Sequence, residues 1–237
     1  MRDLRDTSLR CLRLSSISDG LSKYLIDQIV FAMLHYNTGV QALAKLALLD
    51  DPEHGAGQLS VDTDDCVAVV RRSEDRQFCP LYDSHRVFDF ASAERCGVTV
   101  LPQRYPSDSP LAALAIIKAA GNIGKSIVAV SAADDNWIVT VATDDGDYGS
   151  VHVDDAATFL SQRCHISADQ IDAIEKYRAH TVIVTVNENP LRKGELKSAA
   201  DINARRDEAL RDGLLVDSDV WEKVRAHSRD FLVDLPA

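Results

Sequence analysis

Apolar residues change their spacing three times along the chain, and each change marks a different kind of element. From residue 8 to residue 50 the period is helical. Leu21, Leu25, Ile29, Met33 and Leu34 recur three or four apart, with Ser18 or Asp19 placed to cap the start and Asn37-Thr38-Gly39 to stop the run. Val40 to Leu49, carrying Leu43, Leu46 and Ala47, predicts a second short helix, so a helical hairpin is expected here. Asp50 to Gly57 has no apolar period and is punctuated by Pro52, Gly55 and Gly57, which reads as a linker.

Short β-branched runs follow. Cys66 to Val70 and Val98 to Leu101 predict buried strands, the latter stopped by Pro102. Ser126 to Val130, Trp137 to Val141 and Tyr148 to Val153 are joined by turn-forming segments, Ala133 to Asn136 and Asp144-Asp145-Gly146-Asp147, and predict a three-stranded antiparallel meander. Thr181 to Val186 is a further strand. Between them, Ser107-Asp108-Ser109-Pro110 opens an almost wholly apolar helix from Leu111 to Ala120, with Gly121 placed to end it. Asp154 or Asp155 caps a helix through Arg163, and Ser167 with Gln170 forms a capping box for a helix through Tyr177. Gln77 to Phe90 fits no single period.

Helical spacing returns in the tail, over Lys197 to Asp212 and Asp217 to Phe231. Helices, then strands with a meander, then helices define an α+β fold: a mixed sheet with a central antiparallel meander, flanked by N-terminal and C-terminal helices. The expected organisation is a helical region over 1–50, an α/β region over 60–194 and a helical region over 195–237, forming one compact unit.

Charge narrows the list of partners. Lys and Arg number 26 against 37 Asp and Glu, a net charge of -11. Such a surface repels phosphate backbones and anionic lipid, so neither nucleic acid nor a membrane is an expected partner. The segment Tyr24 to Leu34 is interrupted by Asp27 and Gln28 and is too short to span a bilayer. Five widely spaced cysteines without a C-x-x-C pair fit reduced thiols and a cytoplasmic location, and suggest no metal site.

Familiar catalytic motifs fail on inspection. Gly124-Lys125-Ser126 lacks the earlier glycine of a phosphate loop, because Ala119 stands there, and reads instead as a helix C-cap running into a strand. Gly55-Ala56-Gly57 is followed by Ser60 rather than a third glycine, so it is not a dinucleotide fingerprint. Counted as a calcium loop, Asp144 to Asp155 puts Gly146 and Tyr148 where oxygen ligands belong. No cofactor is therefore expected. Cys164-His165 reads as a packed cysteine beside an exposed histidine.

What remains is local. Cys79-Pro80-Leu81-Tyr82-Asp83-Ser84-His85 places a thiol, a phenol, a carboxylate, a hydroxyl and an imidazole within seven residues, on an expected loop or strand end. Cys79, Asp83 and His85 are the candidate catalytic residues, with Cys79 needing a base that the chain must fold back to supply. Arg104 and Tyr105, between a strand and a helix start, make a candidate anion-binding corner together with Tyr82. These groups point to a small polar or anionic metabolite as ligand. The competing reading is a non-catalytic subunit that docks on a protein partner, or on its own copies as a homo-oligomer, through Trp221 and Phe231.

The tail from Asn203 to Asp217, Asn-Ala-Arg-Arg-Asp-Glu-Ala-Leu-Arg-Asp-Gly-Leu-Leu-Val-Asp, followed by Trp221, resembles the end of an uncharacterised bacterial protein family, a domain of unknown function. Cys79-Pro80-Leu81 is similar to a mid-chain motif of that family. The resemblance covers about a fifth of the chain. It implies a cytosolic bacterial protein and supplies no activity or catalytic residue.

Overall fold

The structure is a computed structural model that describes residues 1–15, 17–48, 58–64, 67–72, 78–93, 97–101, 108–133 and 136–231. The expected linker at 50–57 lies outside them. The chain forms two compact units, Met1–His54 with Ala200–Ala237, and Gly55–Ala199. The α+β class is observed, with helices at both chain ends and a mixed sheet between.

The first unit is helical. α1 (Arg2–Leu14), α2 (Asp19–Tyr36) and α3 (Gly39–Leu48) are joined, after a long interval of sequence, by α8 (Ala199–Asp212) and α9 (Ser218–Asp230). α2 packs on α1 and α3, and every residue from Gln28 to Leu34 is buried. It ends as expected at Asn37, whose φ of 59° is left-handed; Thr38 N–H reaches back to the Ala32 carbonyl. α3 then starts so close to α2 that a Cβ on Gly39 would lie 2.1 Å from the Ile29 carbonyl oxygen. The helical run expected from residue 8 begins earlier, at Arg2, and breaks after Leu14.

The second unit holds a seven-stranded sheet: β1 (Leu59–Asp64), β2 (Val67–Arg72), β3 (Val98–Leu101), β4 (Ser126–Ala133), β5 (Asn136–Ala142), β6 (Tyr148–Val153) and β7 (Thr181–Val186), in the order β1-β2-β3-β7-β4-β5-β6. The meander β4-β5-β6 is antiparallel, as expected, and occupies one side of the sheet. β2 and β3 are parallel, joined by α4 (Pro80–Ala93), and α5 (Pro110–Ile123) joins β3 to β4. β7 runs antiparallel to both β3 and β4, so β2, β3 and β4 share one direction.

Side-chain alternation divides this sheet into two unlike faces. Val69, Val98, Val100, Val128, Val130, Val139, Val141, Val182 and Val184 form a core with Leu160 of α6 (Ala156–Arg163) and Ile174 of α7 (Ala168–Lys176). The opposite face carries Ala68, Val70, Thr99, Leu101, Ile127, Ala129, Thr181 and Ile183. There α4 packs on β7 and on α5, while α5 packs on β4 and β5. The caps of α6 and α7 are the expected ones: Asp155 accepts from Thr158 N–H, and Ser167 and Gln170 complete the box.

Three local expectations are corrected. Residues 80–93 are helix rather than loop or strand end. α5 runs through Gly121 and ends at Gly124, whose φ of 62° takes the left-handed cap. β1 was not expected: Ser60, Val61, Asp62 and Thr63 are all exposed on this edge strand, so no burial alternation marks it.

Gly39→Ala is expected to destabilise the chain by about 1–3 kcal/mol through overpacking, whereas Gly20→Ala, with nothing within 4 Å of its added Cβ, should stabilise by about 0.5–1 kcal/mol. Urea denaturation of the two variants beside the parent checks both signs.

Candidate functional site

β2 ends on a residue that does not belong on an aliphatic face. Alternation directs Ala68, Val70 and Arg72 to the same side, and the Arg72 side chain is only 3% exposed. A guanidinium cannot lose that much water without an anion nearby. Asp83, in the first turn of α4 and fully buried, supplies it: Arg72 Nε lies 3.6 Å from Asp83 Oδ2.

The same carboxylate closes the start of α4. Asp83 Oδ2 accepts the Cys79 N–H at 2.8 Å, while the Cys79 carbonyl accepts the Asp83 N–H, also at 2.8 Å. This is the reciprocal pattern of a capping box with the acid one position later than usual. The N–H groups of Leu81 and Tyr82 act on the Cys79 thiol to lower its proton affinity. Asp83 Oδ1 is buried and has no hydrogen-bond partner among the described residues.

Burial is the largest influence on the protonation of Cys79, Tyr82, Asp83 and His85. It pushes the Asp83 carboxyl above the ordinary carboxylate value, against the Cys79 N–H, Arg72, Arg86 and His85, which all pull it down. It also raises the Cys79 thiol, so the two amide donors and Arg72 do not make a thiolate. Tyr82 is pushed up to about 12 by burial and by Cys79. His85 is lowered, again mainly by burial, with Asp89 opposing.

The helix decides which candidates meet. Cys79, Tyr82 and Asp83 gather in the first turns of α4. His85 follows Cys79 by six residues, about 240° of rotation and about 9 Å of rise, so the two do not share a face and the chain does not fold back between them. Arg104 and Tyr105 lie outside the described residues. Arg72 escaped the sequence reading, although extending the β2 alternation by two residues would have put it on the buried side.

Around this cluster the sheet face is unusually rich in hydroxyls. Ser131 and Thr181, both buried, are 2.9 Å apart near the carboxyl ends of β4 and β3. Thr99 is wholly buried, and its Oγ1 has no hydrogen-bond partner among the described residues. The carboxyl ends of β2 and β3 each lead into the N-terminus of a helix, α4 and α5. In open α/β sheets this edge is where ligands are held. The α5 N-terminus is formed by Ser109, whose hydroxyl accepts from Leu111 N–H, and Pro110.

Elsewhere the expected residues take structural parts. Cys164 is buried beside an exposed His165, which pairs with Glu188 at 2.8 Å. Cys11, Cys79 and Cys164 are free thiols, and Cys66 and Cys96 lie outside the described residues. Among the described residues no three His, Cys, Asp or Glu are grouped to hold a metal, and no helix is long and apolar enough to cross a membrane.

Arg72→Met is expected to cost about 3–5 kcal/mol, because it strands a buried carboxylate; adding Asp83→Leu should recover most of it. Chemical denaturation of both single variants and the double variant checks this coupling. The lowered His85 value gives a pH dependence. Below its ordinary 6.5 the unfolded chain takes up a proton that the folded chain resists, so the stability His85 contributes above 6.5 falls as pH drops through its folded value. Melting temperatures from pH 7.5 to 5 should fall less steeply in His85→Gln than in the parent.

No family model matches the chain, and no curated protein matches it. Among solved structures the chain is similar to that of a "putative malate/lactate dehydrogenase" from E. coli, with a TM-score of 0.60 at 10% identity, over 99% of this chain and 95% of that one. At that identity the likeness is one of fold.

Proposed function

We propose that the second unit binds and transforms a small anionic metabolite at the carboxyl edge of β2 and β3. The observation that carries this reading is Asp83: a buried carboxyl with a raised proton affinity, one oxygen committed to Arg72 and the Cys79 N–H, and the other without a hydrogen bond among the described residues. Buried acids of this kind are suited to hold or move a proton near pH 7. The α5 N-terminus offers N–H groups to the ligand's anionic group. Arg104 and Tyr105, in the chain between β3 and α5, are assigned to the same group, Tyr82 to the ligand's body, and His85 to an auxiliary proton-transfer role. Cys79 is assigned to positioning Asp83, since burial keeps its thiol protonated.

A hydroxycarboxylate is the first ligand class to test, because the E. coli neighbour named above is described as acting on malate or lactate. That description belongs to the neighbour. Isothermal titration of the full chain with L-malate and L-lactate should show binding, weakened about tenfold by Arg104→Ala. Asp83→Asn should leave binding in place while removing its pH dependence. Absence of binding by either acid, or affinity indifferent to Arg104, would overturn the placement.

The competing reading, a docking subunit, draws on Leu215, 90% exposed, and Leu210, 63% exposed, in the C-terminal segment. Trp221 and Phe231, the contacts expected from sequence, are both half-buried, and Arg13 lies over the Phe231 ring.

A further inference from the structure

The first unit has a concavity of its own, lined by one face of α1 and one face of α9. Trp221, Arg225, Ser228 and Arg229 recur on α9 at the spacing of a single helix face, and Asp3, Asp6 and Arg10 do the same on α1; together they surround a cavity of about 300 Å3. Where two helices pack, such stripes are ordinarily apolar. Here the apolar stripe of α1 is the neighbouring one, with Leu4, Cys11 and Leu12 buried, and the stripe facing the cavity is charged.

The charges are not used up internally. Asp6 pairs with Arg2 at 3.8 Å and Arg225 with Glu222 at 3.3 Å, while neither Arg10 nor Arg229 makes an ion pair among the described residues. Among the described residues, three guanidinia against two carboxylates leave the lining cationic, on a chain whose net charge is -11. Ser228 is 4% exposed, and its hydroxyl donates to the Arg225 carbonyl at 2.8 Å. Trp221 is half-buried at the same cavity and supplies the broad apolar surface among the described lining residues.

Guanidinium forks match carboxylate and phosphate oxygens, and an indole offers a face on which a planar ring stacks. We propose that this groove binds a small planar anion, a ring bearing a carboxylate or phosphate, with Arg10 and Arg229 holding the anionic group and Trp221 stacked on the ring. A cavity of this volume suits a ligand of that size. The site is separate from the one assigned to the second unit and does not rest on it.

The test uses the full chain, titrated with AMP and with salicylate, with adenosine and inorganic phosphate as controls. The chain has two tryptophans, so Trp221→Phe assigns the fluorescence signal. Quenching by AMP or salicylate that disappears in Trp221→Phe is expected. Equilibrium dialysis should give affinities about tenfold lower in Arg10→Ala and in Arg229→Ala, with the parent's circular dichroism retained. Adenosine and phosphate alone should bind far more weakly. The proposal is overturned if neither AMP nor salicylate binds, if binding survives both arginine substitutions, or if inorganic phosphate binds as tightly as AMP. Loss of the signal in Arg104→Ala would also overturn it, since the ligand would then belong to the second unit.

Discussion

The sheet of the second unit depends on the insertion of β7. Without it, β1-β2-β3 and β4-β5-β6 are two separate patches with no hydrogen bond between them. Thr181–Val186 enters last in the sequence of strands and pairs antiparallel on both sides, so that Ile183 faces Thr99 on one flank and Ala129 on the other. All six of its residues are β-branched, a composition that stiffens the strand and suits a position buried on both faces. The β2-β3 edge on which the candidate site is built is continued by this strand into β4 and the meander, as one sheet.

The two faces of that sheet answer different demands. Against α6 and α7 the valine layer is filled almost entirely with aliphatic groups, whose burial is favourable and indifferent to direction. Against α4 and α5 the layer includes Arg72, Thr99, Thr140, Ser131 and Thr181, each needing a partner once removed from water. Serine and threonine pairs such as Ser131 with Thr181 and Thr140 with Ser150 meet that need at 2.9 and 3.0 Å. Polar groups at this density reduce what burial alone contributes on that face, and they sit beside the edge where chemistry is proposed.

Elements whose own residues carry the signal were legible from sequence. The meander, β7, the Asp155 cap and the Ser167–Gln170 box all rest on local preferences that tertiary packing reinforces. β1 was not legible, because an exposed edge strand has no inward and outward sides to distinguish. Gly121 shows a different limit: a glycine can end a helix, but the helix ends where the chain must turn, and that is Gly124. Around the candidate site, the density of reactive groups at 79–85 drew attention to the segment that opens α4, while its helical geometry did not show. Pro80 and the reciprocal bonds between Cys79 and Asp83 open a helix whose apolar pattern is blurred by Tyr82, Asp83 and Ser84 on its buried side. Extending the β2 alternation would have put Arg72 on the buried side, but its partner Asp83 on α4 carried no sequence signal of the pairing.

Within the proposed site, charge and proton are tied together. At ionic strengths near 0.15 M, charges beyond about 8 Å are largely screened, so the overall acidity matters less to a bound anion than the donors it touches. Arg72 is the buried cation nearest the start of α4, but Asp83 already neutralises it. An anion placed beside Arg72 competes with that carboxylate, and the competition is relieved when Asp83 accepts a proton. Burial has already moved Asp83 in that direction. Anion binding and protonation of Asp83 should therefore favour each other by linkage, since a neutral Asp83 neither repels the anion nor occupies Arg72, and a bound anion in turn favours the protonated carboxyl. In such a site the proton needed for chemistry on the ligand arrives with the ligand, and the ion pair that stabilises the resting fold holds the proton acceptor in place.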